Sequence, residues 1–287
     1  MMDSLLKKAI QSWMKPSEII TWKKVLGGDI NESFYVKTDS QQYFIKIKSS
    51  PPPRFFICEK IGLETIRKTN TISVPNVFHV NENEQIGYLV LEWVSGDKTE
   101  KTPKLLGHRL AQMHSITKDR FGFQHDSYIG MLPQPNGWFH SWIDYYREYK
   151  LLPQIKLAKS KRYLNSSLDR KLHKLLERLD EWLPSQPKAS LLHGDLWGGN
   201  WIVGKNGDPY LIDPSIFYGH DEFELAFTEL FGGFPETFYN AYTEVNPLSR
   251  NYKDRKPIYQ LFYILVHVNL FGESYLRSVE RIVNYYT

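Results

Sequence analysis

The 287-residue sequence holds one cysteine, Cys58, and that scarcity removes whole classes of chemistry. No intrachain disulfide can form, and a thiolate-based zinc or iron–sulfur centre is excluded. Long apolar runs are missing too. The most apolar stretches, residues 88–94 and 262–271, fall well short of the ~20 residues a membrane helix needs, and the second carries His267 and Asn269. Residues 1–14 lack the basic-then-apolar order and small-residue cleavage site of a signal peptide. Charge of one sign is also scarce, since 36 Lys+Arg against 32 Asp+Glu leave a net charge of +4. The local basic concentrations at 23–24 and 156–162 are not interleaved with aromatics as single-strand nucleic-acid binders require. The expectation is a cytoplasmic protein, monomeric or weakly dimeric, with no nucleic-acid or membrane partner.

Aromatic residues are plentiful, at 15%, and some of them should line a pocket or interface. The pattern of elements changes near residue 95. Before it, Leu5, Leu6, Ile10 and Trp13 recur at helical spacing, and runs rich in β-branched and aromatic residues at 21–26, 33–38 and 42–48 read as strands. Residues 55–68 read as a helix after the proline stop at 51–53, and 88–94 reads as a buried strand. After it helices dominate, expected at 105–115, 138–152, 167–183, 223–231, 235–245 and 257–286, with short strands at 201–203 and 210–212. The fold class expected is α+β and bilobal: a small antiparallel β-sheet lobe over residues 1–95 and a larger, mostly helical lobe over 96–287.

The chemistry concentrates in His193-Gly194-Asp195-Leu196-Trp197-Gly198-Gly199-Asn200, followed thirteen residues later by Asp213 at the end of a strand. The spacing His-x-Asp-x4-Asn is that of a phosphotransferase loop, in which the Asp accepts the proton of the attacking hydroxyl and the Asn holds Mg²⁺. On this composition the pattern arises by chance only about 0.02 times. Asp213 is then the second metal ligand. A phosphotransferase also needs a phosphate-binding lobe, and the first part of the chain supplies its pieces in order. Gly27 and Gly28 lie between strands where backbone N–H groups can approach phosphates. Lys46 and Lys48 share one face of a strand, either able to reach a nucleotide, and Glu59 on the next helix is the natural partner of such a lysine. Glu92 and Val94 close a strand at the lobe junction, where backbone groups can pair with an adenine edge.

Residues 192–200, Asp213 with the Tyr218-Gly219-His220 segment, and Thr228-Glu229-Leu230-Phe231-Gly232-Gly233-Phe234 resemble the fructosamine (ketosamine-3) kinase family, as do Phe121-Gly122-Phe123, Leu106 through His114, and residues 56–63. The similarity covers nearly the whole chain. It implies a protein-kinase-like fold of the aminoglycoside-phosphotransferase type, with ATP and Mg²⁺ used to phosphorylate the sugar 3-hydroxyl of small-molecule ketosamines or glycated lysine side chains. The unstable 3-phosphate then loses its sugar, which amounts to deglycation. By position the resemblance implies Asp195 as base, Asn200 and Asp213 as metal ligands, and Lys46 with Glu59 as the phosphate-binding pair. A G-x-G-x-x-G loop is absent, and Pro214–Ser215 stand where protein kinases have Phe-Gly. Trp197, His220, Asp221 and Glu224 are the expected substrate residues, because acids and aromatics near the metal Asp suit a protonated amine joined to a sugar. The competing readings are a phosphotransferase for another cationic alcohol, such as an aminoglycoside or choline-like molecule, and a nucleotide-binding pseudokinase.

Overall fold

The computed structural model describes residues 2–11, 13–26 and 30–287, and the chain divides into two compact units. The first comprises residues 1–102 with 201–214, the second 103–200 with 215–287. The division thus lies after residue 102 rather than at the expected 95, and a piece of the later chain joins the first unit. Gly27 and Gly28 lie outside the described residues. Among the described residues no helix is long and apolar enough to cross a membrane.

The first unit is built on a five-stranded antiparallel sheet. Helix α1 (Ser4–Ile10) is capped by Asp3, whose carboxylate accepts the N–H groups of Leu5 and Leu6 at 2.9 and 3.3 Å, and Lys7 and Lys8 in its last turn suit the negative end of the helix. Strands β1 (Ile19–Val25), β2 (Glu32–Thr38) and β3 (Gln42–Ser49) form a meander. Helix α2 (Phe55–Lys68) follows, then β4 (Val77–Glu82) and β5 (Ile86–Glu92), giving the order β1-β2-β3-β5-β4. Period-two alternation sends Phe34, Val36, Ile45, Ile47, Tyr88 and Val90 to one face, where they bury Leu6, Ala9 and Ile10 of α1. The other face carries Lys46 toward α2. Strand β4 is absent from the sequence expectation because Asn81 breaks its apolar pattern and Asn76 and Asn83 flank it. The late segment enters as a hairpin, residues 201–203 paired with 209–211. It is fastened by Leu211 N–H to the Ser73 carbonyl at 2.9 Å, by the Ser73 hydroxyl to Asp208 at 2.7 Å, and by the Thr102 hydroxyl to the Gly207 carbonyl at 2.8 Å.

The second unit begins with α3 (Thr102–His114), β6 (Thr117–Lys118), β7 (Ser127–Ile129) and β8 (Leu132–Gln134). Helix α4 (Trp142–Tyr145) runs through a π-helical stretch, residues 146–151, into α5 (Leu152–Ser160). The helix therefore passes the expected stop at 152, with Pro153 following directly on the π-helical stretch. Next come α6 (Ser166–Glu177) and β9 (Ala189–Leu192). Strands β10 (Trp201–Val203) and β11 (Pro209–Leu211) are the first unit's hairpin, after which β12 (Phe217–Gly219) pairs with β9, which also carries β6. Helices α7 (Asp221–Thr228), α8 (Glu236–Val245), α9 (Tyr252–Phe271) and α10 (Leu276–Tyr286) complete the chain. The single helix expected over 257–286 is two, since Gly272 adopts φ 89° and reverses the chain.

One core residue of this unit is anomalous. Lys150, on the π-helical stretch, is 1% exposed. Its Nζ lies 3.9 Å from the Phe217 ring centroid, with the Tyr145 and Phe262 rings at 5.5 and 5.6 Å. Burial pushes its pKa from 10.5 down to about 7. The unfolded chain therefore binds a proton that the folded chain has lost between those values, so this group makes stability rise with pH across that window. Lys150→Met should be more stable than wild type by about 2 kcal/mol at pH near 7, with the gap narrowing toward pH 10.5, as read by urea unfolding at several pH values. A variant less stable than wild type at neutral pH would contradict this.

Candidate active site

Strand β9, buried along its length, delivers the His193–Asn200 loop at its end. Gly194 takes φ 84°, and a Cβ there would stand 2.0 Å from the Ser215 carbonyl oxygen, so the turn requires glycine. Backbone pairing with β12 continues past the strand, through Ser215 N–H to the His193 carbonyl at 2.8 Å. Beneath the loop lies Glu224 of α7, fully buried. Its carboxylate accepts the N–H of His193 at 3.1 Å, the N–H of Gly194 at 2.6 Å, and a bond from His114 Nε2 at 2.9 Å. His114 in turn meets the Tyr242 hydroxyl through Nδ1 at 2.7 Å. Above these, the Tyr263 hydroxyl donates to the Gly194 carbonyl at 3.0 Å, its ring stacked 3.6 Å from that of Phe227. Burial alone would raise the Glu224 pKa, yet the bond and charge of His114, the charge of His193 and the Gly194 N–H together hold it below the ordinary carboxylate value.

Asp195 is thereby fixed in place. Asn200 donates through Nδ2 to the Asp195 carbonyl at 2.7 Å and to its carboxylate at 3.1 Å, which leaves the amide oxygen of Asn200 as its remaining donor atom toward a cation. Burial raises the pKa of Asp195 well above the carboxylate range; the Asn200 bond opposes that rise and the charge of Glu224 adds to it. Trp197 is 44% exposed, and its ring fills the space that a side chain at Gly199 would need, 2.3 Å from an ideal Cβ there.

In the first unit, Lys46 is 6% exposed, bonded to Glu59 at 2.7 Å and ion-paired with Asp213. Asp213 adopts φ 57° as the chain leaves the hairpin, and its side chain is 41% exposed. Lys48 instead donates to the Ile30 carbonyl at 2.7 Å, so the two lysines left open by the strand pattern separate: only Lys46 joins the two carboxylates. Glu92 accepts the backbone N–H and Nδ2 of Asn76 at 3.1 and 2.8 Å. Glu92 and Val94 border a cavity of about 560 Å³ within this unit, together with Trp93, Ser95, Gly204 and Tyr210.

Of the four expected substrate residues, Glu224 and His220 are buried and Asp221 is engaged by neighbours within the second unit. Glu224 is the buried carboxylate that holds the loop backbone and touches no solvent. His220 is buried, bonded through Nδ1 to the Tyr259 hydroxyl at 2.6 Å, with its pKa pushed down to about 4, chiefly by burial. Asp221 accepts from Asn246 Nδ2 and from the Glu222 N–H at 2.9 Å. Their neighbours are equally committed: Glu222 to Arg255 at 3.2 Å and Glu229 to Lys256 at 2.7 Å. The acids that followed Asp213 so densely are engaged internally: Glu222 and Glu229 by cations of α9, Asp221 by the Asn246 amide, and Glu224 by His114 and the loop backbone. Sequence reasoning missed His114 and Tyr263 as loop supports. The available signal was a polar residue set into the buried face of an otherwise apolar helix.

The model of the fructosamine kinase family matches residues 1–287. The chain belongs to the fructosamine kinase family. It is 36% identical over 260 residues to a probable ketoamine kinase of Enterococcus faecium, covering 90% of this chain and 92% of that one. It is 36% identical over 293 residues to a chloroplastic protein-ribulosamine 3-kinase of Arabidopsis thaliana, covering 99% and 89%. Among solved structures, a putative fructosamine-3-kinase of Thermobifida fusca aligns with a TM-score of 0.84 at 28% identity over 93% of both chains. The aminoglycoside phosphotransferase APH(4)-Ia aligns at 0.64 and 16% identity over 98% of both, which establishes the shared kinase-like α+β fold.

Within this family member, Glu224 is the residue whose loss exposes the loop's dependence on one carboxylate. Glu224→Ala strands two buried N–H donors and should cost about 3–5 kcal/mol of stability, measured by chemical denaturation. Because the Glu224 pKa is depressed, its contribution is present above the unfolded value of 4.5 and is lost as pH falls through the folded value. A cost under about 0.5 kcal/mol, the level of an ordinary surface change, would contradict this role.

Proposed function

We propose that this family member is an ATP-dependent kinase that phosphorylates the sugar 3-hydroxyl of ketosamines, with Asp195 as the base. Membership in the fructosamine kinase family over the full chain is the observation that carries this reading. The second unit supports it with one carboxylate positioned by Asn200 and by a braced loop. The first unit supports it with a buried lysine held between Glu59 and Asp213.

In this reading Asp195 accepts the proton of the 3-hydroxyl as its oxygen forms a bond to the γ-phosphorus, the bond from that phosphorus to the β,γ-bridging oxygen breaks, and ADP leaves. Asp195 is only partly buried, so its carboxylate stays within reach of the hydroxyl it must orient. Lys46, oriented by Glu59, holds the α- and β-phosphates. Glu92 and Val94 offer backbone groups to the adenine, and Gly27 and Gly28 offer theirs to the phosphates. The Asn200 amide oxygen and the Asp213 carboxylate are hard oxygen donors, few in number, which suits Mg²⁺ held by one or two protein groups together with the nucleotide phosphates. When bound, Mg²⁺ supplies charge neutralisation of the transferring phosphoryl group. Trp197, exposed on the loop, is the residue we assign to the sugar.

Purified protein given Mg·ATP should release ADP in the presence of fructosyl- or ribulosyl-lysine. Asp195→Asn should lower that rate by about 10²-fold or more, the scale of a lost positioned base. Lys46→Met should depress it as well, whereas a Lys48→Met variant should retain it. Faster turnover of an aminoglycoside than of either ketosamine would overturn the substrate assignment, and ATP binding without any ketosamine-dependent release would overturn the enzymatic reading.

A further inference from the structure

The proposed chemistry makes no use of Lys150, although burying its amine destabilises the fold. A residue that weakens the core it sits in points to a task other than stability. Lys150 lies on the π-helical stretch, where Tyr146 and Leu151, both buried, stand five residues apart, the π period. Such stretches inside α-helices are frequent at functional sites. The Nζ of Lys150 sits over the Phe217 ring, 3.9 Å from its centroid.

Phe217 connects this lysine to the loop that carries Asp195. On β12 it stands opposite Leu192, the residue before His193. Its ring meets the loop at one edge, where an ideal Cβ on Gly194 would stand 3.3 Å from Cε1, and meets Gly219 at another, where a Cβ would stand 2.6 Å from Cε2. Two backbone positions without side chains thus receive the ring edges, and the Tyr145 and Phe223 rings pack at 5.6 and 5.7 Å between centroids. A cation over an aromatic face is attracted by the ring quadrupole, most strongly where water is excluded, and a neutral amine lacks that attraction. The charge on Lys150 therefore governs how firmly Phe217 is held, and Phe217 is packed against the turn at Gly194. Three elements face the Nζ, through Tyr145 of α4, Phe217 of β12 and Phe262 of α9. Burial holds Tyr145 well above its ordinary pKa, so it stays neutral, and burial alone brings Lys150 down to about 7.

We propose that Lys150 is a positioning residue for the Asp195 loop, acting through the Phe217 ring, which its charged form clamps against Gly194. The kinetic side of this proposal rests on the ketosamine reading above. It is tested by kcat across pH for wild type, Lys150→Met and Lys150→Arg, with Mg·ATP and one ketosamine at saturation. Ionisations elsewhere cancel in the ratio of wild-type to Lys150→Met kcat. That ratio should be roughly 5- to 10-fold at pH well below the Lys150 pKa and approach about 1 well above it, with a midpoint at about 7 and with KM for both substrates unchanged. Lys150→Arg, charged at every pH and able to stack on a ring, should hold the high ratio throughout. A second readout needs no turnover: the Gly194 amide, followed by ¹H–¹⁵N NMR, should shift with the same midpoint in wild type and lose that shift in Lys150→Met. A kcat ratio independent of pH, or a wild-type Gly194 amide that does not move across that midpoint, would overturn the positioning role while leaving the kinase reading intact. Wild type that phosphorylates no ketosamine would overturn the ketosamine reading instead, and the amide titration would then decide the role of Lys150.

Discussion

One buried carboxylate fixes the geometry on which the second unit's site depends. Glu224 sits in a region where an unpaired charge would be prohibitive, and it is tolerated because three donors converge on it: two consecutive backbone N–H groups and an imidazole. Those donors come from the end of β9 and from α3, far earlier in sequence, so the contact ties α3, β9 and α7 to a single point. The loop from His193 to Asn200 is held from below by that point and from above by Tyr263. Its glycine is then a steric necessity, because the Ser215 carbonyl occupies the space of a side chain.

The first unit shows the same economy on a smaller scale. Strand alternation alone places Lys46 opposite the α1 face of the sheet, and the following helix brings Glu59 to it. Asp213 reaches the same lysine only because the hairpin of residues 201–211 folds onto the first unit, anchored at Ser73 and Thr102. A buried lysine with two carboxylates is well compensated, in contrast to Lys150, which has three rings and no carboxylate within ion-pairing distance among the described residues. The two lysines show how differently the same side chain behaves in the two settings.

Much of this was legible in the sequence because it is local. Helix α2 occupies the residues that its apolar spacing marks, β2 and β3 follow their alternation, and the loop motif announces itself through spacing. The features that escaped share a cause: they depend on partners distant along the chain. Nothing near Asp221, Glu222 or Glu229 indicates that Asn246, Arg255 and Lys256 will engage them, so a row of committed acids reads as a binding surface for an amine. The interruption at Gly272 and the continuation past Pro153 are failures of a different kind, in which one residue's backbone preference is overridden or enforced by its position in the helix. Residues such as His114 and Tyr263 are legible only as polar positions on buried faces, and their role emerges when the loop they hold is seen.

The measurement that tests the central claim most directly is the position of the phosphoryl group in the product formed from a ¹³C-labelled ketosamine and Mg·ATP, read by phosphorus–proton correlation NMR before the sugar is lost. Phosphorus coupled to the proton on C3 of the sugar is the result predicted for this kinase. Phosphorus on another hydroxyl, or ATP consumed with no phosphorylated ketosamine formed, would contradict it.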